Sequence, residues 1–149
     1  MSAGEYCNRD VVVTDAATSV LDAAQLMRTH HVGNLVVVDS PADGAKPVGI
    51  VTDRDIVIEV VAVDVPPQNL TVSDVMSSDV VTVTEDAKLM DAIALMRDKG
   101  VRRLLVVKSS GALAGILAVD DVIELVAEQL NDLAKLVTVE QQHEQKRRG

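Results

Sequence analysis

The chain has 149 residues, 48% of them apolar and 25% charged, with a formal net charge of −9. That charge argues against nonspecific binding to nucleic acid, and the apolar runs are far too short to cross a bilayer, with no secretory pattern at the N-terminus. Cys7 is the single cysteine, which excludes an internal disulfide and suits a reducing cytoplasm.

Residues 11–13 are a short β-branched run and read as the first strand. Ser19 and Asp22 have the spacing of a capping box. Val20, Ala23, Ala24 and Met27 fall at i, i+3, i+4 and i+7, which predicts an amphipathic helix to about His30. Residues 35–38 are wholly apolar and suit a buried strand. A turn-rich stretch over 40–47 leads to a strand at 48–51 and a helix from 54 to about 61. Pro66-Pro67-Gln68-Asn69 reads as an extended linker.

The chain then says the same thing again. Asp10, Val11 and Val12 return as Asp79, Val80 and Val81, and Leu26-Met27-Arg28 as Leu95-Met96-Arg97, each 69 residues on. Val32, Leu35, Val37 and Val38 return as Val101, Leu104, Val106 and Val107 at the same spacing. The spacing shortens to 66 for Gly49-Ile50 and Asp55, which return as Gly115-Ile116 and Asp121. Strands are therefore predicted at 80–83, 104–107 and 113–117, a helix on Leu89, Ala92, Ile93 and Met96, and a closing helix from near Asp120. Even the lead-in repeats, 72–78 matching 3–9. One such unit, at roughly 60 residues, buries little surface by itself, so two copies sharing a core is the natural architecture.

This strand–helix–strand–strand–helix order, with Gly49-Ile-Val-Thr52-Asp-Arg-Asp55-Ile56 at its last strand–helix junction, resembles the cystathionine-β-synthase (CBS) domain. Two in tandem resemble a Bateman module, here of the stand-alone bacterial CBS-pair type. The resemblance covers about residues 5–127 and implies an α+β fold: two β-α-β-β-α repeats packed through their sheets as a pseudo-two-fold pair. The expected division is residues 1–66 for the first repeat and 67–137 for the second with its lead-in and extended helix. Residues 138–149 are read as a polar, basic-ended tail, solvated or disordered.

An adenosine phosphate asks for apolar walls around its base, a carboxylate for the ribose hydroxyls and donors for phosphate. An ionised Asp can accept from both hydroxyls. Asp55 is the candidate, with Thr52 three residues earlier at the helix start. Thr52 and Asp55 also have the spacing of a capping box, which is compatible with binding because the cap would fix both groups. The resemblance implies that the base lies between Ile50 and the other repeat's Val80 and Val81, and that Arg102 and Arg103 approach the phosphates. Their counterparts are Gly33 and Asn34, so the positive charge comes from one side only. A second, weaker site would use Val11, Val12, Asn34, Ile116 and Asp121. Ala118 replaces the threonine there. AMP, ADP and ATP are the expected ligands and NAD a further one; S-adenosylmethionine fits less well because it offers the arginines no phosphate.

His30-His31 has no cysteine or carboxylate at convincing ligand spacing, so no metal site is expected. Asp53-Arg54-Asp55 lacks a nucleophile or partner base, and no P-loop is present, so the chain does not read as an enzyme. Ile123, Val126, Leu130, Leu133 and Val137 are spaced 3, 4, 3, 4, which reads either as a heptad seam or as a stripe that covers the helix's own sheet. Beyond Leu130 the first repeat has no counterpart, which predicts packing on a second subunit, most simply as a two-fold homodimer. The expected function is a cytoplasmic adenine-nucleotide sensor in signal transduction, read by an unknown protein effector, without nucleic acid or membrane. The alternative is a dimerising scaffold that binds no ligand.

Overall fold

The computed structural model describes residues 1–40, 42 and 44–148. Each half is a three-stranded sheet with helices on one face. In the first half β1 (Val13–Asp15) runs parallel to β2 (Asn34–Val38), and β3 (Pro47–Thr52) pairs antiparallel with β2. The second half repeats this with β4 (Thr82–Thr84), β5 (Arg103–Val107) and β6 (Leu113–Ala118). A parallel pair needs a crossover, and α2 (Val20–His30) and α5 (Leu89–Lys99) supply it. The Ser19 hydroxyl opens α2 by accepting the Asp22 N–H at 3.1 Å. Its buried stripe is Val20, Ala23 and Met27; that of α5 is Leu89, Ala92 and Met96.

Strand parity explains why the central strands are apolar throughout. Leu35 and Val37 point into the first half's core against α2, while Val36 and Val38 join Leu105 in a separate cluster between the halves. Val11, Val13, Ile50, Val80, Leu113 and Ile116 flank that cluster, so the two sheets pack face to face. A sheet covered on both faces cannot alternate apolar with polar residues.

The lead-ins are exchanged. The helix α1 (Ala3–Tyr6) belongs to the second half's core, with Ala3 fully buried there. The matching α4 (Val72–Val75) packs in the first half's core. Asn8 bonds in both directions to Ile116 of β6, and Ser77 does the same to Ile50 of β3. The β3 and β6 edges are thereby each bridged by one residue from the other repeat's lead-in.

Several expected boundaries differ. β1 and β4 start at Val13 and Thr82, two residues later than their β-branched runs, because Val12 and Val81 each contribute one backbone carbonyl to the next strand and no further pairing. The expected extended linker closes as a 3-10 turn over Pro67–Asn69, with the Asn69 N–H bonded to the Pro66 carbonyl; proline at the first helical position loses no bond it would have made. The turn-rich stretch includes Pro41 and Asp43, which lie outside the described residues. The polar end is helical: α6 runs Val119–Arg148, 30 residues and about 45 Å long, solvated from residue 126 onward.

The closing helices diverge. After α3 (Asp53–Ile56) the first half takes a π-helical turn, Val57–Val61, which brings Val60 into the core at 1% exposure. Its counterpart on the regular α6, Val126, is 54% exposed.

Candidate functional site

The end of β3 delivers Ile50 and Thr52, and the chain turns there into α3. The turn is fixed by a reciprocal capping box. The Thr52 hydroxyl oxygen accepts the Asp55 N–H at 3.2 Å, and Asp55 Oδ2 accepts the Thr52 N–H at 2.9 Å. Asp55 Oδ1 takes part in no hydrogen bond among the described residues. Capping therefore uses one carboxylate oxygen and presents the other.

The exchanged lead-in passes directly across. Ser77 is held to Ile50 by two backbone bonds of 2.9 Å, and Asp79, Val80 and Val81 follow. From the second half, Val101, Arg102 and Arg103 enter β5 on the same side. These residues line an open cavity of about 300 Å3 between the halves, formed by Ile50, Thr52 and Asp55, by Ser77 to Val81 without Ser78, and by Val101 to Arg103. All seven residues singled out for the main site line it. Ser77, Asp79 and Val101 do so as well and were missed. Asp79 had a visible signal, since it repeats Asp10 in register; Ser77 depends on the exchange, which no local pattern reveals.

Glycine is required where the lead-in crosses. A Cβ on Gly49 would lie 2.7 Å from Met76 Sδ and 2.9 Å from the Ser77 carbonyl oxygen, and one on Gly115 2.6 Å from the Asn8 carbonyl oxygen. The repeated Gly-Ile thus marks close passage of backbone over β3 and β6.

The charges at the cavity are unequal. Arg102 Nη2 pairs with Asp120 Oδ1 at 3.1 Å. Arg103 has no ion-pair partner among the described residues. Asp55 and Asp79 are the acidic residues of the same lining. Elsewhere, burial raises the pKa of the Cys7 thiol, with Arg9 opposing and Glu85 adding to the shift.

The residues of the second set are placed differently from one another. Val11 and Ile116 share the apolar layer between the halves, whereas Val12 packs on the first half's own core. Asn34 opens β2 opposite Thr52. Asp121 is exposed in the first turn of α6, where Ala118 offers no hydroxyl for a reciprocal cap. Among the described residues no cluster of three or more His, Cys, Asp or Glu could hold a metal ion, and no helix is long and apolar enough to cross a membrane.

The model of the CBS domain matches the chain twice, over residues 3–62 and 72–128. The chain belongs to the CBS domain family and carries two such domains in tandem. Such pairs are, as a class, regulatory ligand-binding modules. An uncharacterised protein of Methanopyrus kandleri is 38% identical over 125 residues, 84% of this chain and 62% of that protein. The chain spans between about half and two thirds of the length of the first curated relatives it matches. Among solved structures, a hexameric CBS-CP12 protein from bloom-forming cyanobacteria superposes with a TM-score of 0.69 at 28% identity, covering 83% of this chain and 66% of that one. The cytosolic domain of the Mg2+ channel MgtE in complex with ATP gives 0.70 at 26% identity, covering 83% and 48%.

Proposed function

We propose that this CBS pair is an adenine-nucleotide sensor, with its main site in the cavity between the halves. The observation that carries this reading is the composition of that cavity. A carboxylate with an uncommitted oxygen, an apolar slot made by Ile50, Val80 and Val81, and two guanidinium groups open onto one space. These are the three demands of an adenosine phosphate: Asp55 accepts from the ribose hydroxyls, the slot takes the base, and Arg103, beside Arg102, meets phosphate. The ATP complex of the MgtE cytosolic domain supports the ligand class. AMP, ADP and ATP fit directly, and NAD would use its adenosine half.

Binding draws on both halves, so ligand shifts their relative geometry by as much as its affinity differs between arrangements. A protein partner in the cytoplasm reads that shift. The module assembles as a homodimer through α6, whose Ile123, Val126, Leu130, Leu133 and Val137 are 54 to 67% exposed. A residue stripe this apolar is costly to leave in water over its whole length. That stripe also favours the second reading, a dimerising scaffold without ligand.

Mass spectrometry of small molecules released from freshly purified protein tests the sensor reading. An adenine nucleotide is expected. Protein that carries no adenosine compound, and takes up none when AMP, ADP, ATP or NAD is added, would leave the scaffold.

A further inference from the structure

The two arginines at the cavity differ in what already occupies them. Arg102 is tied to Asp120, and Arg103 has no ion-pair partner among the described residues. Asp120 itself does not line the cavity. It sits in the first turn of α6, where the first repeat, 66 residues earlier, has Arg54. Asp55 and Asp79 already bring negative charge to the same space, in a chain of net charge −9. With Arg102 paired to Asp120, the lining holds one guanidinium unpaired among the described residues, that of Arg103, and two aspartates.

We propose that Asp120 is a specificity-determining residue: by holding Arg102, it restricts the site to one phosphate's worth of positive charge and favours a nucleoside monophosphate over the di- and triphosphate. This rests on the adenine-nucleotide reading and narrows it. Each further phosphoryl group adds negative charge beside Asp55, Asp79 and Asp120, with no additional cation to receive it. Replacing Asp120 by an uncharged residue releases Arg102 for the polyphosphate. Arg102 and Asp120 are both mostly exposed, 73% and 76%, so water screens the pair and the change in preference is on the order of three- to fivefold.

Calorimetric titration of AMP, ADP and ATP, without Mg2+ and at low salt, tests this on wild type, Asp120→Asn and the double variant Asp120→Asn/Arg102→Ala. Wild type is expected to bind AMP more tightly than ATP. Asp120→Asn is expected to raise ATP affinity relative to AMP by about three- to fivefold, and the double variant to abolish that gain. Wild type that prefers ATP, or an ATP-to-AMP ratio unmoved in Asp120→Asn, overturns the assignment while the nucleotide site stands. Absence of binding by all three nucleotides overturns the nucleotide reading itself.

Discussion

Asp55 has two duties, and they can be separated by experiment. One oxygen caps α3, the other takes part in no hydrogen bond among the described residues, and the residue lines the cavity. Asp55→Ala should cost about 0.5–2 kcal/mol of stability through the lost cap, seen in a denaturant titration. It should also weaken AMP about 10- to 100-fold, on the scale of one or two charge-assisted bonds. Thr52→Ala removes the other half of the same box, so it serves as the control for capping. A stability loss of the same size in both variants belongs to the cap; AMP affinity unchanged in Asp55→Ala contradicts the ribose role of the carboxylate. Arg103 gives a cleaner test because it supports no ion pair among the described residues. Arg103→Ala should leave the unfolding midpoint unchanged and weaken AMP about tenfold, the worth of one charge-assisted bond; an unchanged affinity contradicts its contact with phosphate. The sequence makes Thr52, Asp55 and the arginines legible because each is a departure from, or a persistence in, a duplicated register. It does not reveal that Arg102 is committed to Asp120, since the two are 18 positions apart and meet only when β5 and α6 are in place.

Among the elements, periodicity predicts α2 and α5 well because one face of each is buried against a sheet. The short strands at 11–13 and 80–83 are less legible: a β-branched run marks a segment that packs, not where ladder bonding begins. The π turn after α3 is invisible in the residue pattern, and its effect, Val60 buried against Val126 exposed, is a tertiary outcome. The lead-in crossing makes a sharp demand on glycine. Gly115→Ala places a methyl group against the Asn8 carbonyl, which cannot move without breaking the bond it accepts from the Ile116 N–H. Overpacking of this kind costs about 1–3 kcal/mol, and an unfolding free energy equal to wild type would refute the close passage. α6 makes the opposite prediction. Leu130→Glu with Leu133→Glu alters side chains that are 67% and 60% exposed within one chain. Secondary structure should persist while sedimentation shifts from dimer to monomer; a dimer that survives both substitutions rules out α6 as its interface.

For the molecule as a whole, the duplication predicts two halves sharing a core, and the cluster of Val36, Val38 and Leu105 is that shared layer. What the duplication cannot show is the exchange of lead-ins, because a repeat compared with itself gives no information about which copy its ends pack on. The exchange matters for function. The wall of the main cavity at Ser77 is held to β3 by the segment that joins the halves, so a ligand there touches the joint as well as both domains. Binding to the folded chain alone must stabilise it by linkage, whatever the route of the signal. Chemical denaturation with and without AMP therefore tests the central claim most directly. At about 100 times its Kd, AMP should raise the unfolding free energy of wild type by about 2.7 kcal/mol, and at the same concentration the gain should fall to about 0.4–1.4 kcal/mol in Asp55→Ala, whose affinity is about 10- to 100-fold weaker. Superimposable unfolding curves for wild type up to millimolar AMP would contradict the account.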